Sequence, residues 1–107
     1  MSLDVYLTAT EPHVVYDNNI THNLNQMAEA AGLYIALWQP EELEITKAGQ
    51  LIGPLREGLD RLRAEPERFR AFNPSNGYGN YDGLVSFVEA YLAACEAHPE
   101  ADVSVSR

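Results

Sequence analysis

Two polar stretches hold most of the side chains able to do directed chemistry in this 107-residue chain. The first, Asn18-Asn19-Ile20-Thr21-His22-Asn23, gathers amides, a hydroxyl and an imidazole where strand-like sequence gives way to helical spacing. A helix start presents unpaired backbone N–H groups, so such a junction favours anions. Thr21 suits the N-cap. Capping uses Thr21 and at most one asparagine, which leaves His22 and Asn23 over for a ligand. The second stretch runs from Asn73 to Gly83 and sets Tyr78 and Tyr81 among Asn76, Gly77, Gly79 and Asn80. Its glycines allow turns closed to other residues. A tyrosine face can stack on a base or sugar while its hydroxyl gives direction, and Asn76 can read a polar edge. The competing reading is an Asn/Gly turn pinned by buried tyrosines. Trp38, beside Gln39-Pro40, offers the largest planar surface and fits either a core position or a stacking platform.

Other chemistry is poorly represented. His13, His22 and His98 show neither HExxH nor the Cys/His spacing of a zinc site. No G-x-S-x-G elbow, P-loop or G-x-G-x-x-G fingerprint is present. Neither a metal nor a cofactor is expected. Glu41-Glu42 and the pair Glu65 and Glu67 lie next to prolines at expected helix starts, where the macrodipole favours acids without any catalytic role. Cys95 falls on an apolar helical stripe and reads as a buried structural thiol.

These residues need a scaffold, and the pattern supplies one. Leu3, Val5 and Leu7 alternate with polar residues as a strand with one buried face. Glu11-Pro12 interrupts that run, and His13 to Tyr16 supplies a second strand that can pair back as a hairpin, ended by Asp17-Asn18-Asn19. Helical spacing follows from Thr21, with Leu24, Met27, Ala28 and Ala31 on one face and Gly32 as terminator. Leu33 to Trp38 predicts a short helical turn closed before Pro40. Thr46 is placed to cap a helix carrying Ala48, Leu51, Ile52, Leu55, Leu59 and Leu62, with a kink or two abutting helices at Gly53-Pro54. Pro66 begins a short turn with Phe69 and Phe72. A last helix carries Leu84, Val88, Leu92 and Cys95, and Ala101, Val103 and Val105 alternate as a closing strand. The expectation is one α+β domain over residues 1–107, a small antiparallel sheet of the N- and C-terminal strands packed against three to four helices.

Sixteen acidic residues against seven basic ones give a formal charge of −9. That charge repels phosphate backbones and anionic lipid, so nucleic acid and membrane partners are not expected. No apolar run approaches the ~20 residues of a membrane span, and the first residues carry no secretory signal. A cytoplasmic location is the expectation.

Several pieces resemble a family of small uncharacterised proteins of phages, prophages and bacteria. They are Asn19-Ile20-Thr21-His22-Asn23-Leu24, the run Ala31-Gly32-Leu33-Tyr34 leading to Leu37-Trp38 and Pro40-Glu41-Glu42, the loop Asn73-Pro74 with Asn76-Gly77-Tyr78-Gly79 and Tyr81, and the end Val103-Ser104-Val105-Ser106-Arg107. Tyr78 stands where an aromatic, often Trp, is expected. By analogy with phage proteins that act against host defence, the resemblance implies a protein that sequesters a nucleotide-derived, ADP-ribose-like signal without catalysis. Asn19, Thr21, His22, Asn23, Trp38, Asn76, Tyr78 and Tyr81 are then the ligand-binding candidates, in a homodimer or higher homo-oligomer. For a diphosphate, backbone N–H groups at the Thr21 helix start with Arg68, Arg70 or Arg107 have to offset the negative charge. The alternative is an acidic protein–protein interaction module that inhibits or regulates a host protein. A hydrolase working through His22 lacks a second base or a metal cluster and ranks last.

Overall fold

The computed structural model describes residues 2–10 and 13–107. The alternation at the N-terminus forms β1 (Ser2–Thr10), which pairs antiparallel with β2 (His13–Thr21) on one side and β3 (Asp102–Ser106) on the other, in the order β2-β1-β3. Glu11-Pro12, expected to break the first strand, lies outside the described residues. Leu3, Val5 and Leu7 are fully buried and face Ile20, Asn18 and Tyr16 across one ladder. Across the other ladder, Val105 stands opposite Val5 and Val103 opposite Leu7. Alternation puts Asp4, Tyr6 and Thr8 on the opposite face of the sheet.

β2 runs further than the sequence pattern predicts. Asp17-Asn18-Asn19 does not end the strand; pairing continues to Thr21 opposite Ser2. An edge strand tolerates these turn formers because one side remains open to other partners. Asn18 uses that freedom locally, accepting from the Asn19 N–H at 2.8 Å and donating to the Tyr16 hydroxyl at 3.1 Å.

A short 3-10 turn, His22–Leu24, leads into α1 (Asn25–Ala30), and Thr21 caps it by accepting from the Asn23 N–H at 3.3 Å. α2 (Tyr34–Trp38) follows Gly32 and Leu33, with Ala36, Leu37 and Trp38 buried. Near Gly53-Pro54, where a kink or two abutting helices are expected, two helical elements abut: a 3-10 turn over Ala48–Leu51 passes into α3 (Ile52–Ala64). Pro54 is then the third residue of α3, where a missing N–H costs nothing within that helix. Thr46 is not the cap. Instead the Gln50 side chain reaches back, its Oε1 accepting from the backbone N–H groups of Thr46 and Lys47 at 2.8 and 2.9 Å.

α3 buries Leu55, Leu59 and Leu62, and α4 (Pro66–Arg70) buries Phe69. α5 (Tyr81–Ala97) covers them with Leu84, Val88, Tyr91, Leu92 and Cys95. It begins at Tyr81, inside the stretch the sequence assigns to a loop. β3 is held along its outer side where the Val103 N–H donates to the Thr46 carbonyl at 2.9 Å. Arg107 then donates to the Trp38 carbonyl and to Glu41, both at 2.7 Å, and this hydrogen bond holds the Glu41 carboxyl below the usual carboxylate range. Among the described residues no helix is long and apolar enough to cross a membrane.

Candidate functional site

The two polar stretches meet. Asn23 Nδ2 lies 3.4 Å from the Tyr78 carbonyl, 55 residues away in sequence. Beside that contact Gly79, at φ +93°, packs so closely that an added Cβ would lie 2.7 Å from Thr21 Cγ2 and 3.0 Å from Leu24 Cγ. Only a glycine with left-handed backbone fits between the strand-to-helix junction and the loop. The loop carries its own polar scaffold: Asn76 Oδ1 accepts from the Tyr78 N–H at 2.9 Å, Asn73 Oδ1 from the Tyr81 N–H at 2.8 Å, and Asn80 Oδ1 from the Gly83 N–H at 2.7 Å. The last of these caps α5.

Open grooves lie on either side of the junction. One, of about 540 Å³, runs between β2 and α5, with Asn18, Asn19 and Thr21 facing Gly83, Ser86 and Ala90. The other, of about 690 Å³, lies between His22, Asn23, Asn25 and Gln26 on one wall and Phe72 to Asn76 on the other. Tyr78 stands in the chain between Asn76 of the second groove and Gly79 of the first, and is 71% exposed. Phe72, 38% exposed, brings an aromatic ring to the second groove.

The candidates therefore divide. Asn19 and Thr21 line the first groove, and His22, Asn23 and Asn76 line the second. Trp38, Tyr78 and Tyr81 line neither. Trp38 is 3% exposed, stacked on Tyr34 with ring centroids 5.4 Å apart and 6.1 Å from the His22 ring, edge to face. Tyr81 is 6% exposed and its hydroxyl donates to the Leu62 carbonyl at 2.5 Å, tying the start of α5 to the end of α3. The Trp38 and Tyr81 rings are spent on packing, which leaves Tyr78 as the exposed aromatic face among the aromatic candidates.

The lining of both grooves contains amides, hydroxyls and the His22 imidazole, but no Asp, Glu, Lys or Arg. His22 Nε2 is buried and has no hydrogen-bond partner. The cations are occupied elsewhere. All seven Lys and Arg side chains make ion pairs within the chain, including Arg68 with Glu65, Arg70 with Glu67 and Arg107 with Glu41. Among the described residues, no group of three or more His, Cys, Asp and Glu could hold a metal ion.

Asn25, Gln26, Phe72 and Ser86 also line the grooves and were not singled out from the sequence as site residues. The density of amides from Asn18 through Gln26 was the available signal for two of them. Ser86 needed the α5 register, and Phe72 looks like the second half of a buried pair with Phe69. Comparison with family models, curated proteins and solved structures finds no match, so the chemistry of these grooves rests on their own residues.

Proposed function

We propose that the chain is a non-catalytic binder of a nucleotide-derived, ADP-ribose-like small molecule, gripping the uncharged base and ribose through the Tyr78 loop and the Asn19 to Asn23 junction. The observation that carries the reading is the exposed Tyr78, which stands in the chain between residues of two grooves lined by amides, hydroxyls and imidazole. Stacking of a base on an aromatic contributes ~1–3 kcal/mol on nucleic-acid precedent. Asn23 and Asn76 supply direction for hydroxyl and base-edge groups. The phosphates are left toward solvent, since no lysine or arginine lines either groove. Calorimetry with adenosine, ADP-ribose and cyclic ADP-ribose tests this. The expected result is heat of binding for each, with adenosine retaining most of the affinity, and its loss in Tyr78→Ala at unchanged melting temperature. No binding by any of the three, or binding indifferent to Tyr78→Ala, overturns the reading. Recovery of chemically altered ADP-ribose makes the protein a hydrolase instead.

A second reading, the acidic interaction module, is favoured by a different observation. With every lysine and arginine paired internally, the charge left to face a partner is carboxylate. Such a surface steers basic proteins and repels acidic ones.

A further inference from the structure

A third groove, of about 530 Å³, lies away from the Tyr78 loop, between α2 and the start of α3. Its walls are mainly apolar: Tyr34, Ile35, Ala36, Leu43 and Pro54 contribute to them. Ile35 and Leu43 are 44% and 49% exposed, two of the most exposed large hydrophobic side chains in the described residues. Leu43 is delivered by a 3-10 turn, Pro40–Leu43, that ends at Glu44 in the left-handed conformation, φ 56°. Isolated exposed aliphatics are ordinary, but two that border one concave surface make a docking feature.

The charge around this groove has one sign. Glu29 lines it, and Glu42 and Glu44 are the chain neighbours of Leu43; all three are exposed and none takes part in the ion pairs of the described residues. Arg61 approaches the Gly32 end, yet its guanidinium is engaged, donating to the Ala31 carbonyl at 3.0 Å and lying 4.0 Å from Glu57. Glu41 is already held by Arg107. One unpaired carboxylate lining an apolar trough, with two more on the chain neighbours of Leu43, matches a segment that places an aliphatic anchor next to lysine or arginine. A second copy of this chain is a poor match, because it brings more carboxylates and has no uncommitted lysine or arginine to answer them. Anionic lipid is repelled for the same reason.

We propose that this groove docks a short basic segment of a partner protein, with a Leu- or Ile-type side chain seated between Ile35 and Leu43 and Lys or Arg meeting Glu29, Glu42 and Glu44. This gives the second reading a surface, and it stands independently of ligand binding at Tyr78, because the two sites share no lining residue.

The probes are three fluorescent peptides of equal length: one of leucine and lysine, one of glutamine and lysine, and one of leucine and glutamate. Fluorescence anisotropy with the full chain is expected to show saturable binding of the leucine–lysine peptide alone, weakening as salt is raised. Leu43→Asp and Ile35→Asp are each expected to cut affinity about tenfold or more, the scale of losing one well-seated anchor. Both side chains are half exposed, so the melting temperature should hold. The double variant Glu42→Gln/Glu44→Gln should flatten the salt dependence while keeping part of the affinity. Equal binding of the glutamine–lysine peptide reduces the effect to general attraction by a polyanion and overturns the proposal. So does indifference to Leu43→Asp. Light scattering that shows a dimer abolished by Leu43→Asp assigns the groove to a second copy and overturns it too.

Discussion

Tyrosines separate the roles most sharply at the scale of single residues. Tyr78 is exposed, Tyr81 is anchored to the Leu62 carbonyl, and Tyr91 is fully buried with a hydroxyl that meets no partner. Burial drives the Tyr91 pKa upward, since the phenolate would lie against Phe87 and Tyr16 without compensation. Deleting an unsatisfied buried hydroxyl removes its desolvation cost, so Tyr91→Phe should stabilise the protein by about 1 kcal/mol, read as a higher urea midpoint at unchanged slope. Cys95 carries a pH dependence. Burial pushes its thiol from 9.0 up to about 12. The unfolded chain therefore releases this proton before the folded one does, and the stability it contributes is whole below about pH 9 and is lost as pH rises toward about 12. Tyr91 shifts in the same direction. Denaturation midpoints should fall between about pH 8.5 and about pH 10.5, and fall less in Cys95→Ala, whose own cavity cost lowers both midpoints together. A parallel decline in wild type and variant would remove Cys95 from the account.

Among the elements, those with strong period were legible and those decided by neighbours were not. The alternation of Leu3, Val5 and Leu7 and of Val103 and Val105 was enough to place both ends of the chain in one antiparallel sheet. The apolar stripe of Leu55, Leu59 and Leu62 likewise placed α3. The extension of β2 through Asp17-Asn18-Asn19 was hidden, because turn formers in an edge strand are stabilised by ladder pairing that only the tertiary structure reveals. The start of α5 was hidden by Gly83, which reads as loop but occupies the first turn beneath the Asn80 cap. In the candidate site, the contact between the Asn23 junction and the Tyr78 loop joins two stretches whose polar composition was legible separately. The burial of Trp38 and Tyr81 could not be read, since an aromatic beside a turn looks the same whether it faces core or solvent. The loop offers a controlled comparison. Gly77 and Gly79 both have positive φ, 79° and 93°, but an added Cβ meets nothing within 4 Å at Gly77 and collides with Thr21 at Gly79. Gly77→Ala should cost only backbone strain, ~1 kcal/mol, whereas Gly79→Ala should cost more and detach the loop from the junction. Melting curves with calorimetry on the two variants check this, and equal losses would mean that the contact at Gly79 does not hold the loop.

Across the whole molecule, charge and closure matter most. The C-terminal Arg107 fastens β3 to the end of α2 through the Trp38 carbonyl and to the next turn through Glu41. Arg107→Ala should lower stability by about 1 kcal/mol, with the loss concentrated in hydrogen-exchange protection of β3. Uniform loss of protection would show that the latch is not local. The pairing of Val5 with Val105 also has a consequence in time. At ~5–20 residues per second, a ribosome makes β3 about 5–20 s after β1, so the central strand of the sheet waits with one side open while everything between is translated. The β1–β2 hairpin and the helices can assemble early, but the Leu3, Val5 and Leu7 ridge lacks its second neighbour until β3 emerges. Completion of this sheet therefore waits on the synthesis of β3, and the interval before it is when a chaperone, or another unfinished copy, has access to the open side of β1.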